Sequence, residues 1–204
     1  RQPGDPGGRP RAREEPADGV YYEGSLRAGT IHSDYSGALH AGGDSTASLL
    51  NASYDSDSTY FALHLGAGKV TKLTPANSLD VYGKYFFSHE ASDSVKLSTG
   101  ETYHFDAVTS QRLRLGARFT HEVNRQNAFY VGTALEYEFS AESRATYKGL
   151  STPSPSMRGM SGMLELGWRM KPNAHSPLTI DLNAGAWAGR QQGYTLSAQF
   201  QWAW

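Results

Sequence analysis

The sequence predicts an all-β protein, an antiparallel transmembrane β-barrel, and three observations lead to this prediction. Eight segments alternate apolar and polar side chains, which is the two-residue period of a β-strand. Charged residues lie in the middle of the polar faces of several of these segments. The connections alternate between long and short, as in outer-membrane barrels, which have long loops on one side and short turns on the other.

The alternation defines the predicted strands in order along the chain. They are residues 20–30, 59–70, 79–88, 110–120, 128–140, 159–171, 178–188 and 194–204. The polar segments between some of them are predicted to be long loops, at residues 31–57, 89–107 and 141–158. No stretch of useful length has the 3.6-residue period of an amphipathic helix.

The last predicted strand, "YTLSAQFQWAW", shows the alternation most clearly. One face is apolar and the other is mainly polar; the apolar residues are Tyr194, Leu196, Ala198, Phe200, Trp202 and Trp204. Chain ends are usually polar and frayed, so a terminal strand of this kind needs a cover for its apolar face. We expect that cover to be a partner sheet or lipid.

A soluble β-sandwich also has alternating strands and is the alternative fold. Sandwich strands are usually about 5–6 residues long, whereas the segments here are longer. Aromatic residues are concentrated near the strand ends, as in the interfacial girdles of membrane barrels, for example at 85–87, 129–130 and 202–204. Strand length, mid-strand charges and these girdles favour the membrane barrel.

Composition narrows the class of protein further. The chain has 204 residues, a net charge of -1 and no cysteine, which gives no sign of nucleic-acid binding, disulfides or thiolate chemistry. No apolar run reaches the ~18 residues of a membrane-spanning helix. Residues 1–19 are rich in Pro, Gly and charge and are predicted to be a flexible linker, followed by a barrel domain at 20–204. This linker lacks an apolar signal-peptide region, so we expect a mature or truncated piece of a longer protein.

The polar faces of the predicted strands should line the barrel lumen. The predicted lumen-facing charges are Glu23, Arg27, Arg112, Arg114, Arg118, Glu136, Glu138, Glu165, Arg169 and Asp181. Four glycines on the same face suggest close approach or strong curvature: Gly116, Gly132, Gly167 and Gly185.

Counting from the short turns gives a predicted pairing of these charges. Arg112 is expected opposite Glu136 with Arg114 diagonal to it, and Glu165 opposite Asn183. Arg169 is expected diagonal to Asp181. The charges are then either a set of ion pairs that braces a wet interior or the lining of a passage.

An outer-membrane enzyme is an alternative from another functional class, with its site at the base of the loops. The candidate side chains are His32, Ser33, Asp34, Asp55, Asp57, His89, His104 and Asp106. None has a diagnostic spacing, no metal-binding spacing occurs, and the Gly-rich pieces lack the strand, turn and helix context of a phosphate loop. The sequence therefore predicts a protein that is not an enzyme, without catalytic residues, metal or cofactor.

Several segments in order carry a family resemblance. "GVYYEGSLRAGT", "LDVYGKYFFS", "SQRLRLGARF", "AFYVGTALEYEF", "SGMLELGWRM" and "GRQQGYTLSAQFQWAW" resemble strands of the autotransporter β-domain, the translocator of type V secretion. The resemblance covers residues 19–204 and implies the last eight strands of a twelve-stranded barrel. Phe200, Trp202 and Trp204 resemble the family's C-terminal assembly signal, which usually ends in Phe.

The resemblance also implies a location and partners. They are the Gram-negative outer membrane with the C-terminus on the periplasmic side, outer-membrane lipid, the barrel assembly machinery, and a passenger domain of the same precursor. A self-standing eight-stranded structural or adhesive barrel stays open as an alternative function. Pairing of 21–27 with 194–199 would support it, and its interior would be filled by side chains, so no polypeptide could pass.

Overall fold

The structure is a computed structural model that describes residues 19–41 and 48–203. Within these ranges, no helix is long and apolar enough to cross a membrane. The strands are β1 (Gly19–Ala41), β2 (Ser48–Thr74), β3 (Asn77–Glu90), β4 (Asp93–Lys96), β5 (Thr102–Phe105), β6 (Val108–Asn124), β7 (Asn127–Glu138), β8 (Ala145–Tyr147), β9 (Leu150–Ser151), β10 (Gly159–Met170), β11 (Leu178–Gly189) and β12 (Gly193–Trp202).

Eight of these strands form one antiparallel sheet in the order β1-β2-β3-β6-β7-β10-β11-β12. They correspond to the eight predicted strands, and the all-β antiparallel fold class is confirmed. Each long strand pairs with the next long strand in the sequence. This pairing is antiparallel because each connection, a hairpin turn or a longer loop, joins two strand ends at the same rim of the sheet. The sheet curls, so that residues from β1 through β12 line a single cavity on its concave face.

The sheet is polar on its concave face and apolar on its convex face, which is clearest in β7. Phe129, Val131 and Leu135 on the convex face are 51%, 46% and 59% exposed, whereas Glu136 and Glu138 are only 4% and 8% exposed. A soluble sandwich buries its apolar faces between two sheets, so this inverted arrangement excludes that alternative for the described sheet. An exposed apolar face of this size suits a surrounding of lipid.

The predicted loops contain more regular structure than expected. Strands β1 and β2 continue past the other strands as a two-stranded ribbon of residues 31–41 and 48–58, which we call the hairpin extension. Its polar side chains on both faces gave no alternation, so residues 31–57 were wrongly predicted to be a loop; residues 42–47 lie outside the described ranges.

The other two predicted loops, 89–107 and 141–158, also hold strands. They form a second, four-stranded sheet in the order β4-β5-β8-β9. This sheet is joined to the hairpin extension, because the backbone N–H of Ser98 donates to the carbonyl of Ser53 at 2.9 Å. The three long connections therefore form one structured rim.

The register of the β6–β7 hairpin differs from the prediction by two residues. Arg112 lies opposite Glu138, and Arg114 lies opposite Glu136. The prediction placed Arg112 opposite Glu136 and was wrong, because the pairing is centred one residue later than expected and a bulge precedes the turn.

The β10–β11 hairpin shows the same displacement. Glu165 lies opposite Gly185 and not opposite Asn183, so that prediction was also wrong. Arg169 lies directly opposite Asp181, where a diagonal position was predicted. The polar face was nevertheless assigned to the correct side of each strand, since a two-residue shift keeps the face unchanged.

The two outer strands of the sheet, β1 and β12, do not pair with each other within the described residues. The predicted linker at 1–19 lies outside these residues except for Gly19, the first residue of β1. Trp204 also lies outside them, so the predicted assembly signal is described only at Phe200 and Trp202, which are 65% and 61% exposed.

Candidate functional site

The concave face of the large sheet surrounds a cavity of about 1580 Å³. All ten charges predicted to face a lumen line this cavity: Glu23, Arg27, Arg112, Arg114, Arg118, Glu136, Glu138, Glu165, Arg169 and Asp181. They come from five different strands, and the alternation of each strand places them on one side.

Arginines of β6 pair with glutamates of β7 in the first group of charges. Both the Nε and a terminal nitrogen of Arg114 approach Glu136, at 2.8 and 2.7 Å. Arg112 lies 3.5 Å from Glu136 and 3.7 Å from Glu138. The nearly buried Glu136 carboxylate is thus shared by two guanidinium groups, which offset the cost of its burial.

Backbone groups hold Glu138 in position at the rim of the cavity. Its carboxylate accepts hydrogen bonds from the backbone N–H groups of Gln111 and Ser140, at 2.9 and 3.1 Å. It also accepts a hydrogen bond from the hydroxyl of Ser110. These donors fix the end of β7 against the start of β6.

A second ion pair joins strands that are not neighbours in the sheet. Arg118 on β6 donates to both carboxylate oxygens of Glu165 on β10, at 2.7 and 3.1 Å. Its guanidinium also lies 4.6 Å from the ring centroid of Tyr130 on β7. This two-bond geometry, with a ring beneath it, is one that lysine cannot reproduce.

Tyrosine hydroxyl groups extend the network to both sides. Tyr21 on β1 donates to Asp80 on β3 at 3.0 Å, across the intervening strand β2. Tyr130 donates to Asp181 at 2.7 Å, and the Nε of Arg169 donates to the other oxygen of Asp181 at 3.3 Å. The two tyrosine contacts each cross one intervening strand and stiffen the curl of the sheet.

The glycines of the concave face make room for these side chains. A Cβ atom on Gly167 would lie 1.9 Å from the ring of Tyr130, and one on Gly116 would lie 2.5 Å from the ring of Tyr82. The same holds for Gly132, where a Cβ atom would lie 2.3 Å from Glu165. The large side chains therefore lie flat across the backbone of the next strand, which requires glycine at those positions.

Three members of this site were not among the predicted lumen-facing charges. Lys84 pairs with Glu23 at 2.8 Å, and His64 lies 3.3 Å from the same carboxylate. Asp80 is only 7% exposed and accepts the Tyr21 hydrogen bond. All three were on the polar faces of predicted strands. A list of every residue at an inward-facing strand position would therefore have included them.

The candidate residues for an enzyme lie at the rim and in the second sheet. His32 lies 3.1 Å from Asp34 and 2.8 Å from Asp57, and all three side chains are largely exposed. His104 and Asp106 are 3.7 Å apart. The other candidates form separate contacts: His89 with Thr109, for example. The described residues contain no group of His, Cys, Asp or Glu suited to hold a metal ion.

The structure therefore presents a sheet with an apolar outer face curled around a charged cavity. A family model, the autotransporter β-domain, matches residues 11–185 of the chain. The chain belongs to the autotransporter β-domain family. No curated protein matches it.

Autotransporter β-domains are outer-membrane β-barrel translocators of type V secretion in Gram-negative bacteria, so the family places this chain in the outer membrane. The match includes β1 to most of β11 and stops before β12. The resemblance to this family that the strand segments suggest is thus confirmed over most of the chain.

Proposed function

We propose that this autotransporter β-domain supports the secretion of an N-terminal passenger domain across the Gram-negative outer membrane. The observation that carries the proposal is the charged, nearly buried wall of the cavity inside an apolar exterior. Glu136 and Glu165 are 4% and 7% exposed on the inside, whereas Leu135 and Leu164 are 59% and 63% exposed on the outside. A polar cavity that faces away from lipid offers a polypeptide a route where its backbone remains solvated.

The proposed translocating unit is a twelve-stranded barrel in which these eight strands are completed by four others. Open strand edges are not tolerated in the hydrocarbon region, because their N–H and C=O groups have no partner there. The self-standing eight-stranded barrel would need β1 to pair with β12, and the described residues include no such pair. This supports the larger barrel over the alternative.

The remaining parts of the proposal follow the same model. The passenger belongs to the same precursor, and the barrel assembly machinery inserts the chain by its last strand, with the C-terminus on the periplasmic side. The short β2–β3, β6–β7 and β10–β11 connections then face the periplasm, and the structured rim faces outward. The domain itself carries out no catalysis in this proposal.

The experiment has two independent readouts on the protein expressed from its natural gene. First, an antibody against residues 141–158 is used to blot heated and unheated outer-membrane fractions. We expect a heat-modifiable species clearly larger than 22.3 kDa, the mass of the chain described here. A heat-modifiable band near that mass would overturn the proposal in favour of the self-standing barrel.

The second readout is the exposure of the passenger. An epitope tag is placed in the segment ahead of the barrel, and intact cells are treated with a protease. We expect the tag to be removed from intact cells while a periplasmic marker protein stays protected. A tag that is cleaved only after the cells are broken would contradict passenger secretion.

A further inference from the structure

The convex face of the large sheet carries a groove of about 620 Å³ over strands β10, β11 and β12, which we call the convex groove. The side chains that line it are apolar: Phe129, Leu166, Trp168, Leu182, Ala184, Leu196 and Ala198. Asn183 and Ser197 also border it, but both line the concave cavity, so alternation leaves only their backbones on the convex side. The convex groove therefore offers a ligand hydrocarbon contacts and few polar ones.

The register of the three strands explains why the convex groove forms at this place. Leu166 on β10, Ala184 on β11 and Leu196 on β12 lie directly opposite one another in the sheet. Two large side chains thus flank a single methyl group. In the next row towards the β10–β11 turn, the small residue is Ala198 on β12, opposite Leu182. The two alanines form the floor, and the larger side chains form the walls.

The width of the convex groove suits one hydrocarbon chain. Neighbouring strands are about 4.8 Å apart, so β10 and β12 are separated by about 10 Å. A chain laid over Ala184 is then about 5 Å from each flanking strand, and carbon atoms of Leu166 and Leu196 come within the ~4 Å of van der Waals contact. Such a chain is touched on three sides, whereas an even surface of large side chains would touch it on one.

One end of the convex groove is held in place by aromatic side chains. The rings of Phe129 and Trp168 are parallel within 13°, with centroids 6.0 Å apart. The Nε1 of Trp168 donates a hydrogen bond to the side-chain oxygen of Asn127 at 3.1 Å. Because the indole is already ordered, a ligand that packs against it pays little for immobilising it. This end of the groove lies beside the β6–β7 and β10–β11 turns.

These two turns supply positive charge at the same end. Residues 125–126 connect β6 to β7, and residues 171–177 connect β10 to β11. The sequence of the two connections contains Arg125 and Lys171, both exposed, and no acidic residue. The backbone N–H of Lys171 donates to the carbonyl of Gln126 at 2.8 Å, so the two connections lie side by side. An anionic group at this rim is attracted by both cations.

We propose that the convex groove holds one acyl chain of a phospholipid whose phosphate group lies at the rim formed by Arg125 and Lys171. The groove is continuous with the exposed apolar face of the sheet, which is the lipid interface of an outer-membrane β-domain. A phospholipid carries both parts that the site recognises, a hydrocarbon chain and an anionic phosphodiester. The proposal does not depend on passenger secretion, because it concerns the outer surface of the barrel.

The experiment uses the full-length protein, purified from outer membranes in mild detergent, with phosphatidylglycerol as the probe. Native mass spectrometry measures the fraction of the protein that retains one lipid molecule. Ala184→Leu fills the floor of the groove, and we expect this fraction to fall about fivefold because the acyl chain loses its van der Waals contacts there. The matched control is Ala117→Leu on β6. Ala117 lies opposite the exposed, convex Val81 and does not border the groove, so retention should equal that of the wild type.

Two further variants keep the test decisive. Ala198→Leu fills the other floor position and should lower retention even if Ala184→Leu fails to fold, which heat modifiability reveals. Arg125→Ala combined with Lys171→Ala should lower the retention of phosphatidylglycerol and leave that of a neutral diacylglycerol unchanged. Equal retention in the wild type and in every folded groove variant, or an equal loss in Ala117→Leu, would overturn the acyl-chain site. Unchanged retention of phosphatidylglycerol in the charge variant would overturn the position of the phosphate.

Discussion

Ion pairs of nearly the same length occur in two regions of this molecule with very different surroundings. In the cavity wall, Arg118 and Glu165 are 2.7 Å apart, with side chains 21% and 9% exposed. In the hairpin extension, His32 and Asp57 are 2.8 Å apart, with side chains 58% and 68% exposed. The distance between the charged atoms therefore says little about the difference between the two regions.

The difference teaches that burial and neighbouring groups decide how much an ion pair contributes to the free energy of unfolding. An exposed pair is screened by water and salt, and its side chains lose entropy on pairing. A pair in the wall has lost most of its water, so each partner depends on the other and on adjacent rings and hydroxyl groups. The pairs in the wall should be costly to break, and the pair in the extension should not.

The most direct test of this difference removes one carboxylate from each region. Glu136→Ala leaves the guanidinium groups of Arg112 and Arg114 without their shared partner, and we expect a loss of about 3 kcal/mol in the free energy of unfolding. Asp57→Ala in the extension should cost no more than about 0.5 kcal/mol. Urea unfolding in lipid vesicles measures both, and equal losses would contradict the comparison.

A second prediction concerns packing in the wall and has a smaller expected effect. Gly167→Ala places a methyl group against the ring of Tyr130, and we expect a loss of about 2 kcal/mol from overpacking. The control is Gly162→Ala on the same strand, where a Cβ atom would meet nothing within 4 Å.

The two glycine variants are compared by heating samples to increasing temperatures and recording on a gel the temperature at which the folded band disappears. Gly167→Ala should lower this temperature while Gly162→Ala should not. Combining Gly167→Ala with Tyr130→Ala should make the two losses less than additive, because the clash is then absent. Full additivity would show that the close approach of Tyr130 is not the cause of the stability loss in Gly167→Ala.

The smallest expected effect concerns protonation in the hairpin extension. The hydrogen bond to Asp57, helped by the charge of Asp34, raises the pKa of His32 above its ordinary value of 6.5. Protonated His32 therefore stabilises the extension below about that pH, and the contribution is lost as the pH rises through the raised pKa. An NMR titration should show a lower pKa of His32 in Asp57→Asn and no change in Asp106→Asn.

The eight long strands and their polar faces could be predicted because lipid on one side and charge on the other impose a strict two-residue period. The hairpin extension could not be predicted in this way. Its two faces, for example Ser33 and Tyr35 on one and His32 and Asp34 on the other, both carry polar groups, so no hydrophobic period appears. The strands pair through their backbones, which does not require apolar side chains. The same limit hid the small sheet in the long connections.

The exact ion pairs could not be predicted for a different reason. A single bulge between Glu122 and Asn124, together with the turn, sets the register of every pair in the β6–β7 hairpin. Contacts such as Arg114 with Trp187 depend on how far the sheet curls, which no local pattern encodes. The face of a strand on which a residue lies can be predicted from the local sequence, whereas its partners on other strands cannot.

The alternation of the strands has a consequence for when the lipid-facing surface forms. Convex residues such as Leu113 and Leu115 are separated in sequence by concave residues such as Arg114, so the apolar side chains become contiguous only after the strands pair. Folding, and not the sequence of any one strand, creates the continuous apolar surface that lipid solvates.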